Sequence, residues 1–342
     1  MAITSSVLFV LLAAALVFVP APYVTWRPGI PVDVLGTKDD TPLISVSGVE
    51  THPVSGRLLL TVVSTSKSSS RISLPEAMQA YFADGSDAMP RDLIYPPGKS
   101  DEEITQEAVA SMDSSRQNAT VAALRAAGIA VTERPMIEKV LLNGPSGGLL
   151  QPGDLVLSLD GESVSSEEEI SNHLRTVAVG ASVEFEVLRD GELERVTVVA
   201  GRSPQDQERA VVGVGLTEGF EYAARVAYGV SPDIVGPSAG LVFALGIYDH
   251  VTPGSLMADL TVAGTGVIDP RGQVRPIGGI QQKIKGAEEA GATLFFLPWD
   301  NCQALDGVQT KMRLVPVSTL RDAIAALQYI QEGNQAEVAS CE

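Results

Sequence analysis

The sequence predicts an α+β multidomain chain. It reads as an N-terminal transmembrane helix, a β-rich module preceded by a helical insertion, and a C-terminal α/β domain. Three observations predict this. Met1 to Trp26 carries no charged side chain, and Val7 to Val19 is almost wholly aliphatic. Residues 129–202 alternate short apolar runs with turn dipeptides such as Asp160-Gly161 and Asp190-Gly191, the pattern of paired strands. Beyond residue 208, a small-residue turn opens an apolar helix, and a Gly pair further on opens a second helix. The expected division is an anchor at 1–26, a linker with strands and a helical insertion at 27–128, a β-rich domain at 129–202, an α/β domain at 208–330 and a disordered tail at 331–342. A chain of 342 residues fits two or three domains, and 45% hydrophobic content is ample for packed cores.

A helix needs about 20 apolar residues to cross a bilayer, and Ala2 to Tyr23 supplies them. Tyr23 and Trp26 would then lie at the interface. A cleaved signal peptide is the competing reading. It wants a basic leader and small residues before the cut, whereas no Lys or Arg precedes Arg27 and Pro20-Ala21-Pro22 is a poor cleavage site. An uncleaved single-pass anchor in the cell membrane is therefore expected.

Residues 27–40 read as a linker. Strands follow at Leu43–Val49 and Gly56–Val63. Helices are expected at Pro75–Phe82, at Asp101–Ala110 behind an N-capping Ser100, and at Gln117–Ala127, ended by Gly128. The Gly98-Lys99-Ser100 triplet is not a phosphate-cradling loop. That loop needs Gly five residues before its second Gly, and position 93 is Leu, with Pro96 and Pro97 between. No ATP is expected to be used.

In 129–202 the strands are Met136–Leu142, Leu155–Leu159, Val183–Val187 and Arg195–Val199, with an amphipathic helix at Ser166–Thr176. This order, with Gly148-Leu149-Leu150-Gln151-Pro152-Gly153-Asp154 and Leu159-Asp160-Gly161-Glu162-Ser163-Val164, resembles a PDZ domain of the bacterial protease type. The resemblance implies capture of an extended peptide at a sheet edge. The groove is expected between the strand near Ile129–Val131 and the helix from Ser166. No Gly-Leu-Gly-Phe type loop is legible for a terminal carboxylate.

The most informative residues are Gly236-Pro237-Ser238-Ala239-Gly240, followed by the apolar run Leu241–Ile247. Pro suits a first helical turn, so Ser238 falls at a helix N-terminus, where free N–H groups can hold an oxyanion. A serine needs a base. Of three histidines only His250 follows Ser238, and twelve residues along one helix would put it roughly 18 Å away. His52 and His173 lie in other segments. Lysine is the other base that burial can neutralise. Lys283 sits beside the face formed by Ile280, Ile284 and Ala287.

Four ordered stretches then resemble the proteolytic domain of Lon-type proteases. They are Gly236–Gly240; Val262-Ala263-Gly264-Thr265-Gly266 with Gly272-Gln273-Val274; Pro276–Lys283; and Leu297-Pro298-Trp299-Asp300-Asn301. The resemblance implies Ser238 as nucleophile and Lys283 as general base. Gly236, Pro237, Ala239, Thr265 and Gly266 are expected to support the oxyanion and the site. Many ATP-dependent members carry Asp before the motif's first Gly; here Val235 stands there, with Asp233 two residues earlier. Anchor, helical insert, PDZ-like module and Lon-like domain together resemble the membrane-anchored PDZ-Lon proteases of bacteria, the YlbL-like group.

The formal net charge of -18 argues against nucleic-acid binding. Cys302 and Cys341 are too few for a disulfide framework, and no metal or other cofactor is expected. The resulting expectation is a membrane-tethered, ATP-independent serine endopeptidase with a Ser-Lys dyad. It would cut peptides or unfolded and exported proteins presented by the PDZ-like domain. The resemblance further implies an extracytoplasmic protease domain and a homo-oligomer, a hexamer in the family's ring form. Two alternatives stand beside it. One is a peptide-binding adaptor or scaffold with a weakly active or inactive Lon-like domain, disfavoured by the presence of both Ser238 and Lys283. The other is a thioesterase or lipid hydrolase on the G-x-S-x-G pattern, disfavoured by the missing downstream His.

Overall fold

A computed structural model of the chain describes residues 2–18, 20–67, 72–203 and 206–341. It has two units. One joins the segment that ends at Ile129 to the segment that starts at Ala224, and the other is Ala130–Ala223. The second is thus an insertion in the chain of the first. Among the described residues, the helices of nine residues or more are α1 (Ala2–Phe18), α2 (Leu74–Phe82), α3 (Asp101–Ala126), α4 (Glu167–Thr176), α5 (Gly240–Val251), α6 (Ile280–Glu289) and α7 (Leu320–Gln331).

The discontinuous unit is built on a sheet with strand order Arg313–Val317, Leu294–Pro298, Thr261–Gly264, Arg57–Leu60, Val32–Asp33. All neighbours are parallel except the last pair. Runs such as Leu294-Phe295-Phe296-Leu297 are apolar throughout because both faces are covered. Strand alternation divides them between two cores. Leu58, Leu60, Val262 and Phe296 pack with α3, α5 and α7, while Leu59, Ala263, Phe295 and Leu297 pack with Ile280, Ile284 and Ala287 of α6. Residues from the first third of the chain therefore supply a central strand to the unit that carries Ser238. A smaller sheet runs Asp87–Pro90, Tyr23–Pro28, Val63–Thr65.

The N-terminal segment differs from the expected anchor. Among the described residues, no helix is long and apolar enough to cross a membrane. α1 has 17 residues, about 25 Å of helix at 1.5 Å per residue, against a hydrocarbon core of roughly 30 Å. Val19 and Met1 lie outside the described residues. From Pro20 the chain is extended, and Val24 and Thr25 are buried in the smaller sheet. Trp26, expected at a membrane interface, pairs instead with Asp87 and Thr65 in strand register. The transmembrane helix, the single-pass anchoring and the membrane-face assignment are corrected accordingly. α1 is described as far as Phe18, and from Pro20 the apolar residues enter strands.

The two helices expected within residues 101–127 are one. Residues 111–116 contain neither Gly nor Pro, and burial of Met112 and Ser115 carries α3 through them. Its start is as the sequence predicts, with a capping box between Ser100 and Glu103. The tail, expected to be disordered, is tethered as far as Cys341, although most of its residues are exposed. Arg313 donates to the carbonyls of Gln335 and Val338, Val338 is buried, and Cys341 forms a disulfide with Cys302. Sequence spacing alone could not pair two cysteines 39 residues apart.

The inserted unit is an antiparallel sheet in the order Glu192–Val199, Ser182–Arg189, Leu155–Leu159, Thr132–Val140, Val214–Glu221, accompanied by α4. Phe185, Val187, Val156 and Ile170 of α4 form its core. The last strand, Val214–Glu221, is an edge strand.

One buried carboxylate stands out. Asp249, near the C-terminal end of α5, is 0% exposed, and its Oδ2 has no hydrogen-bond partner. Burial raises its pKa to about 6, against the opposing pull of the N–H groups of Leu256 and Met257. The unfolded chain ionises this group near pH 4, so stability falls as pH rises from about 4 through about 6 and stays lower above. Asp249→Asn is expected to raise stability by about 1–3 kcal/mol at pH 8 and to change it little at pH 4, as read by urea denaturation at the two pH values.

Candidate active site

Ser238 lies in a single tight turn, Pro237–Ala239, directly before α5. Gly236 opens the turn at φ 99°, a conformation open essentially to glycine alone. Pro237 fills the first position, where a missing N–H is no loss. The carbonyls of this loop are held from two sides. Pro237 C=O accepts from Ser115 Oγ of α3 at 2.9 Å and from Gly240 N–H. Ser238 C=O accepts from Gly266 N–H at 2.9 Å and from Thr265 Oγ1 at 3.1 Å. Gly236 N–H donates to Ala108 C=O of α3 at 3.2 Å, so it is not turned to a substrate.

Lys283 sits in the first turn of α6, which Gly279 opens in the left-handed conformation at φ 70°. A Cβ on Gly279 would lie 2.7 Å from Val63 Cγ2, and one on Gly278 would lie 3.1 Å from the Trp26 ring. The two glycines thus let α6 start against the smaller sheet. Lys283 is 4% exposed. Its Nζ donates to Ser238 Oγ and to Thr265 Oγ1, each at 2.8 Å. Both partners are hydroxyls, and burial pushes the ammonium pKa down to about 7. Near neutral pH a large share of the amine is uncharged and can accept a proton. Thr265 is itself fully buried. It follows the strand Thr261–Gly264, so the cluster forms at the C-terminal end of a parallel strand, with α5 on one face of the sheet and α6 on the other.

The cluster opens into a cleft of about 970 Å³ lined by Trp26, Thr61, Met112, Val235, Ser238 and Lys283, among others. The edge strand Val63–Thr65 borders it. Asp233 reaches the cleft, with its carboxylate accepting from Ser231 Oγ at 3.3 Å.

The structure therefore brings Ser238, Lys283, Thr265 and Gly266 together, while Gly236 and Pro237 shape the turn and Ala239 is buried behind it. His250 ends up on the far part of α5, half-buried, with Nε2 inaccessible to water and unpartnered. Sequence reasoning missed Ser115, Met112 and Trp26, all far from the serine in the chain. It quoted Asn301 in a motif but assigned it no role. Asn301 clamps Ile277 by accepting from its N–H and donating to its C=O, both at 3.0 Å.

A second groove, of about 370 Å³, belongs to the inserted unit. Ile170, Ser171 and Leu174 of α4 line one side, and Val212, Val214 and Leu216 the other. The strand facing α4 is thus Val214–Glu221 and not the expected one near Ile129–Val131. The pairing is non-local, since Val214–Glu221 binds Thr132–Val140 from the opposite end of the unit. Its outer edge is unpaired by any strand among the described residues. The stretch Gly213-Val214-Gly215-Leu216, with Gly213 at φ 76°, enters this strand.

Comparison with known proteins places two domains in the chain. Residues 223–328 match the family model of the Lon protease (S16) C-terminal proteolytic domain, and residues 111–199 match that of the PDZ domain. Lon protease 2 of Bacillus subtilis (strain 168) is 38% identical over 95 residues, 27% of this chain and 16% of that protein. Lon protease of Escherichia coli (strain K12) is 30% identical over 155 residues, 44% of this chain and 19% of that protein. The match thus spans less than a fifth of the length of either relative. Among solved structures, the PDZ domain of the SdrC-like protein from Listeria monocytogenes is 19% identical, covering 25% of this chain and 87% of that one at a TM-score of 0.23.

The packing of the serine turn is tight enough to test directly. A Cβ on Gly240 would lie 2.8 Å from Ile268 Cγ2 and 2.9 Å from Ser115 Oγ. Gly240→Ala is expected to destabilise the protein by about 1–3 kcal/mol in chemical denaturation.

Proposed function

We propose that the chain is a serine endopeptidase in which Ser238 is the nucleophile and Lys283 the general base. The observation that most supports this reading is a buried lysine whose amine, among the described residues, bonds two hydroxyls, one of them Ser238 Oγ at 2.8 Å. Neutral Lys283 takes the proton as Ser238 Oγ attacks a peptide carbonyl, and returns it to the leaving amine. Water then releases the acyl group. The Ser238 N–H holds the developing oxyanion. Thr265 Oγ1 bridges Lys283 Nζ and the Ser238 carbonyl, fixing the lysine toward the serine. An extended substrate can lie along the edge strand Val63–Thr65. The sequence contains no phosphate-cradling loop, so the reaction is proposed to run without ATP on peptides and unfolded polypeptides. Assembly into a homo-oligomeric ring is part of the proposal on resemblance alone, and light scattering of the purified chain tests it.

Ser238→Ala and Lys283→Ala are each expected to lower kcat at least 1,000-fold, an order taken from serine hydrolases stripped of nucleophile or base. The assay uses unfolded casein and a peptide library, without ATP. Because protonated Lys283 cannot accept a proton, kcat/KM should rise with pH through about 7 and then level off. Full activity in Lys283→Ala would refute the base assignment.

The groove of the inserted unit supports a role in holding polypeptide beside its edge strand Val214–Glu221. Ser171→Trp, which fills that groove, is expected to raise KM for unfolded proteins several-fold and leave short-peptide hydrolysis unchanged. Equal KM values for casein in the variant and the wild type would rule this role out.

A further inference from the structure

The proposed reaction places the oxyanion on the Ser238 N–H, and something must aim that N–H. Its peptide group is shared with the Pro237 carbonyl. A trans peptide is planar, so its C=O and N–H point in opposite directions, and the chain has no cis peptide bonds among the described residues. Whatever captures the Pro237 carbonyl therefore aims the Ser238 N–H. Besides the Gly240 N–H of the turn itself, the group that does so is Ser115 Oγ of α3, donating at 2.9 Å from a side chain 2% exposed.

We infer that Ser115 is a positioning residue for the oxyanion donor, acting through the Pro237–Ser238 peptide. The inference rests on the reading of Ser238 as nucleophile and adds a residue 123 positions away in sequence. Three further features support it. Ala108, seven residues earlier on α3, accepts from Gly236 N–H, so one helix grips the loop at two peptides, on either side of the Gly236–Pro237 bond. Gly240, whose Cβ would meet Ser115 Oγ at 2.9 Å, lets α3 come this close. The turn's capping residue, Gly236, offers no side-chain acceptor, so the Ser238 N–H is not drawn back onto its own cap.

Donation to a carbonyl also polarises its peptide and strengthens the N–H at the other end. Ser115 thus acts twice on the same group, in direction and in donor strength. Gly240 N–H also reaches the Pro237 carbonyl, so losing the hydroxyl leaves no buried acceptor unpaired. The effect should fall on the chemical step more than on folding.

The test compares full-length wild type with Ser115→Ala, Ser115→Thr and Ser238→Ala. It measures kcat and KM on one short peptide, Ki for a peptide boronate and for the matching uncleaved peptide, and the unfolding midpoint. Loss of a whole oxyanion donor lowers kcat by 10²–10³, so misaiming one by Ser115→Ala is expected to lower it about tenfold. KM should stay within about twofold, and the boronate should weaken by the same factor as kcat while the uncleaved peptide does not. Ser115→Thr, which keeps the hydroxyl, should recover most of the rate. Should Ser115→Ala fail to fold, Ser115→Cys keeps the volume, weakens the donor and carries the same comparison.

Wild-type kcat in Ser115→Ala, with Ser238→Ala inactive, overturns the inference and leaves the nucleophile standing. A lower rate in which KM and both inhibitors shift together, with no recovery by Thr, also overturns it and assigns Ser115 to packing alone. Activity retained in Ser238→Ala overturns the reading of the serine on which the inference is built.

Discussion

Everything near the cleft depends on one constraint, the burial of the Lys283 amine. An ammonium taken out of water loses solvation worth several kcal/mol and responds by giving up its proton. That response is useful only where water stays out and no carboxylate restores the charge. The surroundings meet both conditions. Thr265 is fully buried, Gln282 and Ile284 beside the lysine are buried, and the partners of Nζ are two hydroxyls. A carboxylate in place of either hydroxyl would hold the lysine charged and remove its basicity.

A neutral lysine still has to meet a serine at hydrogen-bond distance, and the two come from opposite faces of one sheet. The meeting is arranged by backbone. Carbonyls of Pro237 and Ser238 are drawn to α3 and to the Thr265–Gly266 turn, respectively. The chain segments that do this are far apart in sequence because the inserted unit interrupts them. The insertion leaves from the end of α3 and returns into the strand Arg225–Tyr228, which leads through Ser231–Val235 to the serine turn. One attachment is thus to α3, which holds the serine turn, and the other is to the strand that precedes that turn in the chain.

The parts of this arrangement that could be read from sequence are those carried by local chemistry. Gly236–Gly240 announces a tight turn because Gly and Pro restrict the backbone in known ways, and Ile280, Ile284 and Ala287 announce a buried helix face that brings Lys283 inward. What could not be read is pairing. Arg57–Leu60 looks like any apolar strand, and nothing local says that its parallel neighbour is Thr261–Gly264 some 200 residues later. Val214–Glu221 has too many glycines and acids to stand out as a strand, yet it is the edge on which the second groove is built. The apolar N-terminus misled for a related reason. Hydropathy reports that Val24 avoids water, not whether lipid or a sheet shelters it. Ser115 was invisible because a lone serine in a helix has no periodic signature, and its importance comes from a carbonyl 122 residues away.

The same logic explains a clamp behind the lysine. For Lys283 to point at Ser238, α6 must begin at the right residue, and its beginning is set by Gly279 in a left-handed conformation. Such a residue is free to rotate unless its neighbours are fixed. Trp26 and Val63 close off one side of the Gly pair. On the other side Asn301 ties down both backbone groups of Ile277, two residues ahead. Asn301 is in turn adjacent to Cys302, which the disulfide joins to Cys341 and so to the C-terminal segment, where Val338 is buried. The order of dependence therefore runs from the last residues of the chain to Asn301, to the Gly pair, to the start of α6, and finally to the amine. A glycine hinge supplies close approach to the sheet, and the asparagine removes the freedom that the glycine would otherwise keep. Precision at Lys283 is a property of the segments around it more than of the lysine itself, which would be an ordinary solvated side chain on any exposed helix.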